Sequence, residues 1–349
     1  MNTSTLNQLL RLTLLAASAL IGLAAQAAVG LDELPGSEGD GPVTVFYPSS
    51  SPAQAVQRGR LTLSVAPQGA PERGNGRLIV LSHGSGGEPW SQSDLALSLA
   101  GAGFVVALPE HAGDNWRDHS KIGPESWKLR PLEVSRAIDV LGRDVRFAPL
   151  LDLQRVGVYG MSAGGHTTLT LAGGRWSPAR LRDHCEAHLA EDFAACTGGA
   201  SELTGGWLDG LKQGIAGIII RHKLQDETLY GHTDPRIRAA IAAVPFAVDF
   251  DLDSLARPVV PLALIEAGQD RWLLPAFHSG PVLAACSSCV QLALLPMGGH
   301  GALLAPQPPA DKLPERIARL LADPPGFDRS ELPALYQRIA GFFRQHLQP

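Results

Sequence analysis

The sequence predicts an α/β fold, a mostly parallel central sheet with helices on both faces, and three observations carry that prediction. Short apolar runs recur along the chain without the alternation of a half-solvated strand, as expected of strands buried on both faces. Helical runs separate them, and alternating strands and helices close into a sheet covered on both sides. The residues able to do chemistry fall just after the apolar runs, at the carboxyl edge where open α/β sheets bind ligands. With 349 residues, 45% of them hydrophobic and 18% charged, the chain can bury a sizeable core. Its 29 basic against 34 acidic residues leave a net charge of −5 and no basic surface for a nucleic-acid backbone, so no nucleic-acid partner is expected.

Taken in order, residues 1–27 hold Arg11, then the mostly apolar Leu12 to Ala25, then Ala25-Gln-Ala27. That pattern reads as a secretory signal peptide cut after Ala27, with an apolar run short for a bilayer span. No other long apolar run is present, so a periplasmic or secreted protein without a stable membrane anchor is expected. A Gly/Pro-rich lead covers residues 30–42. Val43–Pro48 and Leu61–Val65 alternate apolar and polar and read as antiparallel edge strands. Arg77–Ser82 is a buried strand running into His83-Gly-Ser85-Gly-Gly87; Asp94–Gly103 reads as a helix and Phe104–Leu108 as the next strand. Pro109–Pro131 reads as a long polar loop, and Leu132–Asp144 as an amphipathic helix.

The strand from Arg155 ends in Gly160-Met-Ser162-Ala-Gly164, followed by a helical run from Thr167. Residues from about 174 to 236 lose the strand pattern and read as an insertion forming a cap over the sheet edge, within a single domain spanning 28–349. Ile237–Val244, Val260–Glu266 and Val290–Leu295 resume the sheet, with a helix near Leu274–Ala285 between the last two. Pro306–Pro333 is proline-rich with one helix, and Leu332–Leu347 closes the chain as an amphipathic helix. Export makes disulfides plausible. Four cysteines allow three connectivities, of which local pairing joins Cys185 to Cys196 and Cys286 to Cys289. The ten residues between Cys185 and Cys196 fit zinc-ligand spacing poorly, and no metal is expected.

Gly-x-Ser-x-Gly between a strand and a helix is the pattern of a nucleophile elbow, whose tight turn needs residues without side chains two positions either side of the serine. Alone the pattern is weak evidence. A serine hydroxyl needs a base within hydrogen-bond reach, and His300, in the Gly-rich turn after the last strand, is the best placed. His83, His111, His166 and His278 are the competitors, with His83 and His166 expected to orient the loops around the serine. The base needs a carboxylate to fix its tautomer. Asp270, in Ala267-Gly-Gln-Asp270, is the choice; Asp249, Asp251 and Asp253, after the preceding strand, are the alternatives. The order Ser…Asp…His fits this architecture. The backbone N–H groups of Ser85 and Ala163 are the candidate oxyanion donors. His83, Trp116, Trp127 and Trp272 are candidate pocket residues, although packing explains each tryptophan equally well.

Together, His83-Gly-x-Gly-Gly87, Gly160-Met-Ser-Ala-Gly-Gly165, Ala267-Gly-Gln-Asp270 and Gly298-Gly-His300 resemble the α/β-hydrolase superfamily. Leu108-Pro-Glu-His-Ala-Gly-Asp114 and His166 narrow the resemblance to its bacterial dienelactone-hydrolase-like branch, related to platelet-activating-factor acetylhydrolases. The resemblance covers residues 43–345 apart from much of 174–236. It implies an α/β-hydrolase fold and hydrolysis of a carboxylic ester or lactone through an acyl-serine, without metal or organic cofactor, by a monomer or homodimer. Two departures stand out. The acetylhydrolases place the acid one strand earlier, where this chain has no aspartate before Asp249, and dienelactone hydrolases proper use a cysteine where this chain has Ser162. The same three residues would also serve a peptidase or an acyltransferase. A binding protein on a hydrolase fold would bind ligand without serine labelling.

Overall fold

The computed structural model describes residues 28–58 and 61–348; the expected signal peptide lies outside them. The strands are β1 (Ala28–Leu34), β2 (Val43–Ser49), β3 (Gln54–Arg58), β4 (Leu61–Pro67), β5 (Leu78–Ser82), β6 (Val105–Pro109), β7 (Val156–Met161), β8 (Arg175–Trp176), β9 (Ile237–Ala243), β10 (Phe250–Asp251), β11 (Leu262–Ala267) and β12 (Val290–Leu295). The helices are α1 (Ser93–Gly101), α2 (Pro124–Arg143), α3 (Ala163–Leu171), α4 (Pro178–His188), α5 (Phe193–Cys196), α6 (Asp209–Lys223), α7 (Leu252–Leu255), α8 (Ser279–Ala285), α9 (Glu315–Leu321) and α10 (Leu332–Leu347).

Ten strands form one sheet in the order β12-β11-β9-β7-β5-β6-β2-β1-β4-β3. From β12 to β6 every pairing is parallel, and β2 then joins β6 antiparallel. The fold is therefore α/β with a mostly parallel sheet. The inner parallel strands β5, β6, β7 and β11 are buried at every position because both faces are covered, whereas the outer strands β3 and β12 keep exposed residues. Leu78, Val80, Val156 and Val158 point into one core with residues of α2 and α3, while Ile79, Leu81, Tyr159 and Met161 point into the other with residues of α1 and α10.

Several sequence expectations are corrected. Val43–Pro48 is not an edge strand: β2 is flanked by β1 and β6 and buried along its length. Leu61–Val65 is also internal, with β3 outside it. The Gly/Pro-rich lead begins as β1, whose seven-residue register with β2 supplies the order that its sequence pattern does not reveal. Pro109–Pro131 is loop only to Gly123. Pro124 opens α2, where a missing N–H costs nothing, and Pro131 is carried inside the helix. The helix expected over Leu274–Ala285 starts only at Ser279. Residues 174–236 hold α4, α5 and α6. Both local disulfides are formed, Cys185–Cys196 and Cys286–Cys289, and they point to an oxidising, non-cytoplasmic location.

Candidate active site

Parallel strands in register bring their carboxyl ends to one edge, and the chemistry collects there. β5 delivers residues 83–87, β7 delivers Ser162, β9 leads to Asp249, β11 to Asp270 and β12 to His300. At the end of β7 the chain turns so tightly that Ser162 adopts φ 58° and ψ −116°, a conformation costly for a residue with a side chain. The flanking glycines are sterically required. A Cβ on Gly160 would lie 1.9 Å from the Gly164 oxygen, and one on Gly164 would lie 1.9 Å from the Ser82 oxygen. The turn is held by Ser162 N–H donating to Ala243 O (3.0 Å) and by Phe246 N–H donating to Ser162 O (3.2 Å).

The structure brings Ser162, His300 and Asp270 together. His300 Nε2 lies 3.0 Å from Ser162 Oγ, and His300 Nδ1 lies 2.7 Å from Asp270 Oδ2. A carboxylate only accepts, so Nδ1 carries the proton and Nε2 is free to receive one. The other Asp270 oxygen accepts the N–H groups of Trp272 and Leu273, each at 2.8 Å, which fixes the carboxylate. Gln269 N–H donates to Gly298 O (2.8 Å) and ties the acid's turn to the histidine's. His300 and Asp270 are buried, whereas Ser162 keeps partial exposure. A substrate atom can therefore reach the hydroxyl while water has little access to the base.

Asp249 serves another histidine. It accepts from His166 Nε2 at 3.0 Å, with both side chains fully buried. His166, on the helix that starts after the serine, stacks on Trp127 with ring centroids 4.7 Å apart. Asp251 pairs with Arg175 and Arg180.

The 83–87 turn faces the serine from β5, and a Cβ on Gly84 would sit 3.5 Å from Ser162 Cβ. Among the described residues, the N–H groups of Ser85 and Ala163 donate to no protein acceptor, and Ala163 is the first residue of α3, where helical N–H groups point outward unpaired. His83 is buried behind this turn. It donates from Nδ1 to Gly84 O (2.7 Å) and accepts at Nε2 from His111 N–H (3.2 Å), which requires the neutral ring. Burial, reinforced by His111 and Arg130, holds its pKa well below the ordinary value.

Arg130 is the functional-site residue that the sequence reading missed. Fully buried in α2, it donates to the carbonyls of His83 (2.5 Å) and Asp114 (3.2 Å) and to Asp114 Oδ2 (2.9 Å). Asp114 Oδ1 accepts the Ser85 hydroxyl (2.7 Å) and the Gly86 N–H (2.8 Å). Burial would raise the Asp114 pKa, but Arg130 and these donors outweigh it and bring the carboxyl below its usual value. A guanidinium and a carboxylate thus grip the turn that carries Ser85. Glu133, one helical turn further on, holds His111 Nδ1 (2.5 Å), while His111 Nε2 meets Ser82 Oγ (2.7 Å). Burial lowers the His111 pKa and raises that of Glu133. The sequence reading places Arg130 at the end of the long polar loop and Glu133 at the start of the helix after it, with no further signal for either.

Of the candidate pocket residues, Trp272 lies beside the site, its ring centroid 5.2 Å from that of His300. Trp116 is half-exposed on the loop after β6, its Nε1–H donating to Glu110 (3.2 Å). Trp127 is buried in the core between His166, Trp176 and Phe246. Among the described residues no group of three or more His, Cys, Asp or Glu side chains is arranged to hold a metal ion. Neither a protein-family model nor a curated protein matches the chain.

Proposed function

We propose that the protein is an exported serine hydrolase of the α/β-hydrolase fold, cleaving a carboxylic ester or lactone through an acyl-serine intermediate. The observation that carries this reading is the hydrogen-bonded line from Ser162 Oγ through His300 to Asp270 at the carboxyl edge of a parallel sheet. Ser162 attacks the carbonyl carbon as His300 Nε2 takes its proton. Asp270 stabilises the imidazolium. The oxyanion of the tetrahedral intermediate sits on the N–H groups of Ala163 and Ser85. Its collapse expels the alcohol, which takes the proton from His300, and leaves the acyl group on Ser162. Water then attacks with His300 again as base, and the acid departs. In this reading residues 174–236 form a cap, and Trp272 walls the entrance on the His300 side.

The test is turnover of a short p-nitrophenyl ester series beside fluorophosphonate labelling, for the wild type and Ser162→Ala. Both signals are expected in the wild type and neither in the variant. Folded wild-type protein giving neither signal would sink the hydrolase reading. Labelling without turnover would retain the nucleophile and discard the ester class.

A further inference from the structure

Helix α6 presents two apolar faces, and only one of them is packed. Gly217 and Ile220 are buried against α4, which the Cys185–Cys196 disulfide ties to α5. On the other side Leu211, Ile215, Ile218 and Ile219 are exposed by 60, 51, 62 and 48%, and Trp207, just before the helix, by 91%. At about 100° per residue these four helical positions fall within an arc of about 100°, a continuous stripe. Single exposed apolar residues need no explanation, but a contiguous stripe of this kind marks a contact surface.

The charges beside the stripe say what covers it. Lys212 and Lys223 border one side of the arc and Arg221 the other, its guanidinium resting over Gly217, with His222 at the arc's end. Asp209, the acid in the first turn, is already engaged by Lys212 and by the N–H groups of Thr204 and Gly205. Among the described residues Arg221 and Lys223 make no ion pair. An apolar stripe with a tryptophan at one end and basic residues on both flanks is the pattern of a helix lying in a membrane interface. A second copy of the chain fits less well. A helix of 15 residues is about 22 Å long and about 10 Å across, a face of about 220 Å², whereas a stable dimer needs about 800 Å² from each partner. A lipid surface has no such minimum area.

We propose that this face of α6 docks reversibly on a lipid surface bearing anionic headgroups, with the apolar side chains at the acyl boundary and Arg221 and Lys223 on the headgroups. No helix among the described residues is long and apolar enough to cross a membrane, so the contact is peripheral. The connector into α6 passes the candidate site. A Cβ on Gly199 would lie 3.0 Å from the Trp272 ring, and Arg316 donates to the Gly199 carbonyl.

The experiment is co-sedimentation of the exported form with vesicles of phosphatidylethanolamine and phosphatidylglycerol, paired with light scattering in solution; it does not depend on the hydrolase reading. The wild type should sediment with these vesicles, and less so with phosphatidylcholine or high salt. Ile215→Glu/Ile218→Glu should bind at least about tenfold more weakly, with melting temperature and far-ultraviolet circular dichroism unchanged. Arg221→Ala/Lys223→Ala should lose about 25-fold, about fivefold per basic residue, corresponding to about 1 kcal/mol each. Wild type that stays in the supernatant, or either variant binding like wild type, overturns the proposal. So does a dimer that Ile215→Glu/Ile218→Glu dissociates, which would assign the face to a second copy.

Discussion

Replacing Arg130 by methionine removes the guanidinium while keeping much of the side-chain volume. The side chains of Arg130 and Asp114 are both 0% exposed. Breaking such a pair from one side leaves an uncompensated carboxylate and costs about 3–5 kcal/mol. The carbonyls of His83 and Asp114 also lose their donor, which pushes the loss towards the upper end of that range. Domains of ordinary stability, about 5–15 kcal/mol, survive this as folded protein. Catalysis should suffer separately, because Ser85 sits on the turn that Arg130 and Asp114 hold. Misplacing one oxyanion donor costs about 10²–10³ in turnover, and since that donor acts mainly in the transition state, the loss should fall on kcat with KM little changed. Urea unfolding and ester kinetics measure the two effects. In the Arg130→Met/Asp114→Leu double variant the uncompensated charge is gone, so stability should recover in part, short of the bonds lost by Ser85, Gly86 and the two carbonyls, while kcat does not. Arg130→Met with wild-type kcat and a stability loss under about 1 kcal/mol would refute the reasoning.

The remaining predictions are independent of that network or test it by another route. Asp270→Asn should lower kcat by about 10⁴ by disrupting the His300 tautomer, while Asp249→Asn should leave kcat within a few-fold; equal losses would undo the assignment of the acid. Reducing Cys185–Cys196, 11 residues apart, should cost about 3 kcal/mol, against about 1.6 kcal/mol for Cys286–Cys289, 3 apart, and single-disulfide variants compared by urea midpoint would show it. His83 has a lowered pKa in the folded protein, so below about pH 6.5 the unfolded chain binds a proton that the folded one refuses. Its contribution to stability is complete above that pH and is lost as pH falls, by up to about 1.4 kcal/mol per unit. His83→Gln, which can keep both hydrogen bonds, should flatten the stability profile between pH 5 and 6.5 by that slope. The opposing slope from Glu133 is common to both proteins and cancels; parallel profiles would contradict the prediction.

What the sequence made legible were elements whose partners are dictated locally. β5, β6, β7 and β11 announce themselves because a strand covered on both faces must be apolar at every position, and β9 and β12 by apolar runs that each tolerate one polar residue. Ser162, Asp270 and His300 could be placed together because each follows such a strand, and parallel register then brings their turns to one edge. β1 escaped because Gly30, Asp32 and Glu33 break any alternation, and its order comes from pairing with β2. Arg130 and Glu133 escaped for a different reason: Arg130 reads as part of the polar loop, periodicity assigns a charged helical residue such as Glu133 to solvent, and only the loop folded over them makes them interior. In α6 the apolar residues divide: Ile220 is buried, while Ile215, Ile218 and Ile219 lie outside.

The left-handed turn at Ser162 divides the interests of the fold from those of its chemistry. Glycine is the residue that such dihedral angles suit, and a side chain there costs about 1–3 kcal/mol. Selection for heat resistance alone would therefore favour losing the hydroxyl at this position. Any programme of directed evolution on this scaffold that screens survival without screening turnover would be expected to erase its proposed nucleophile among the first changes.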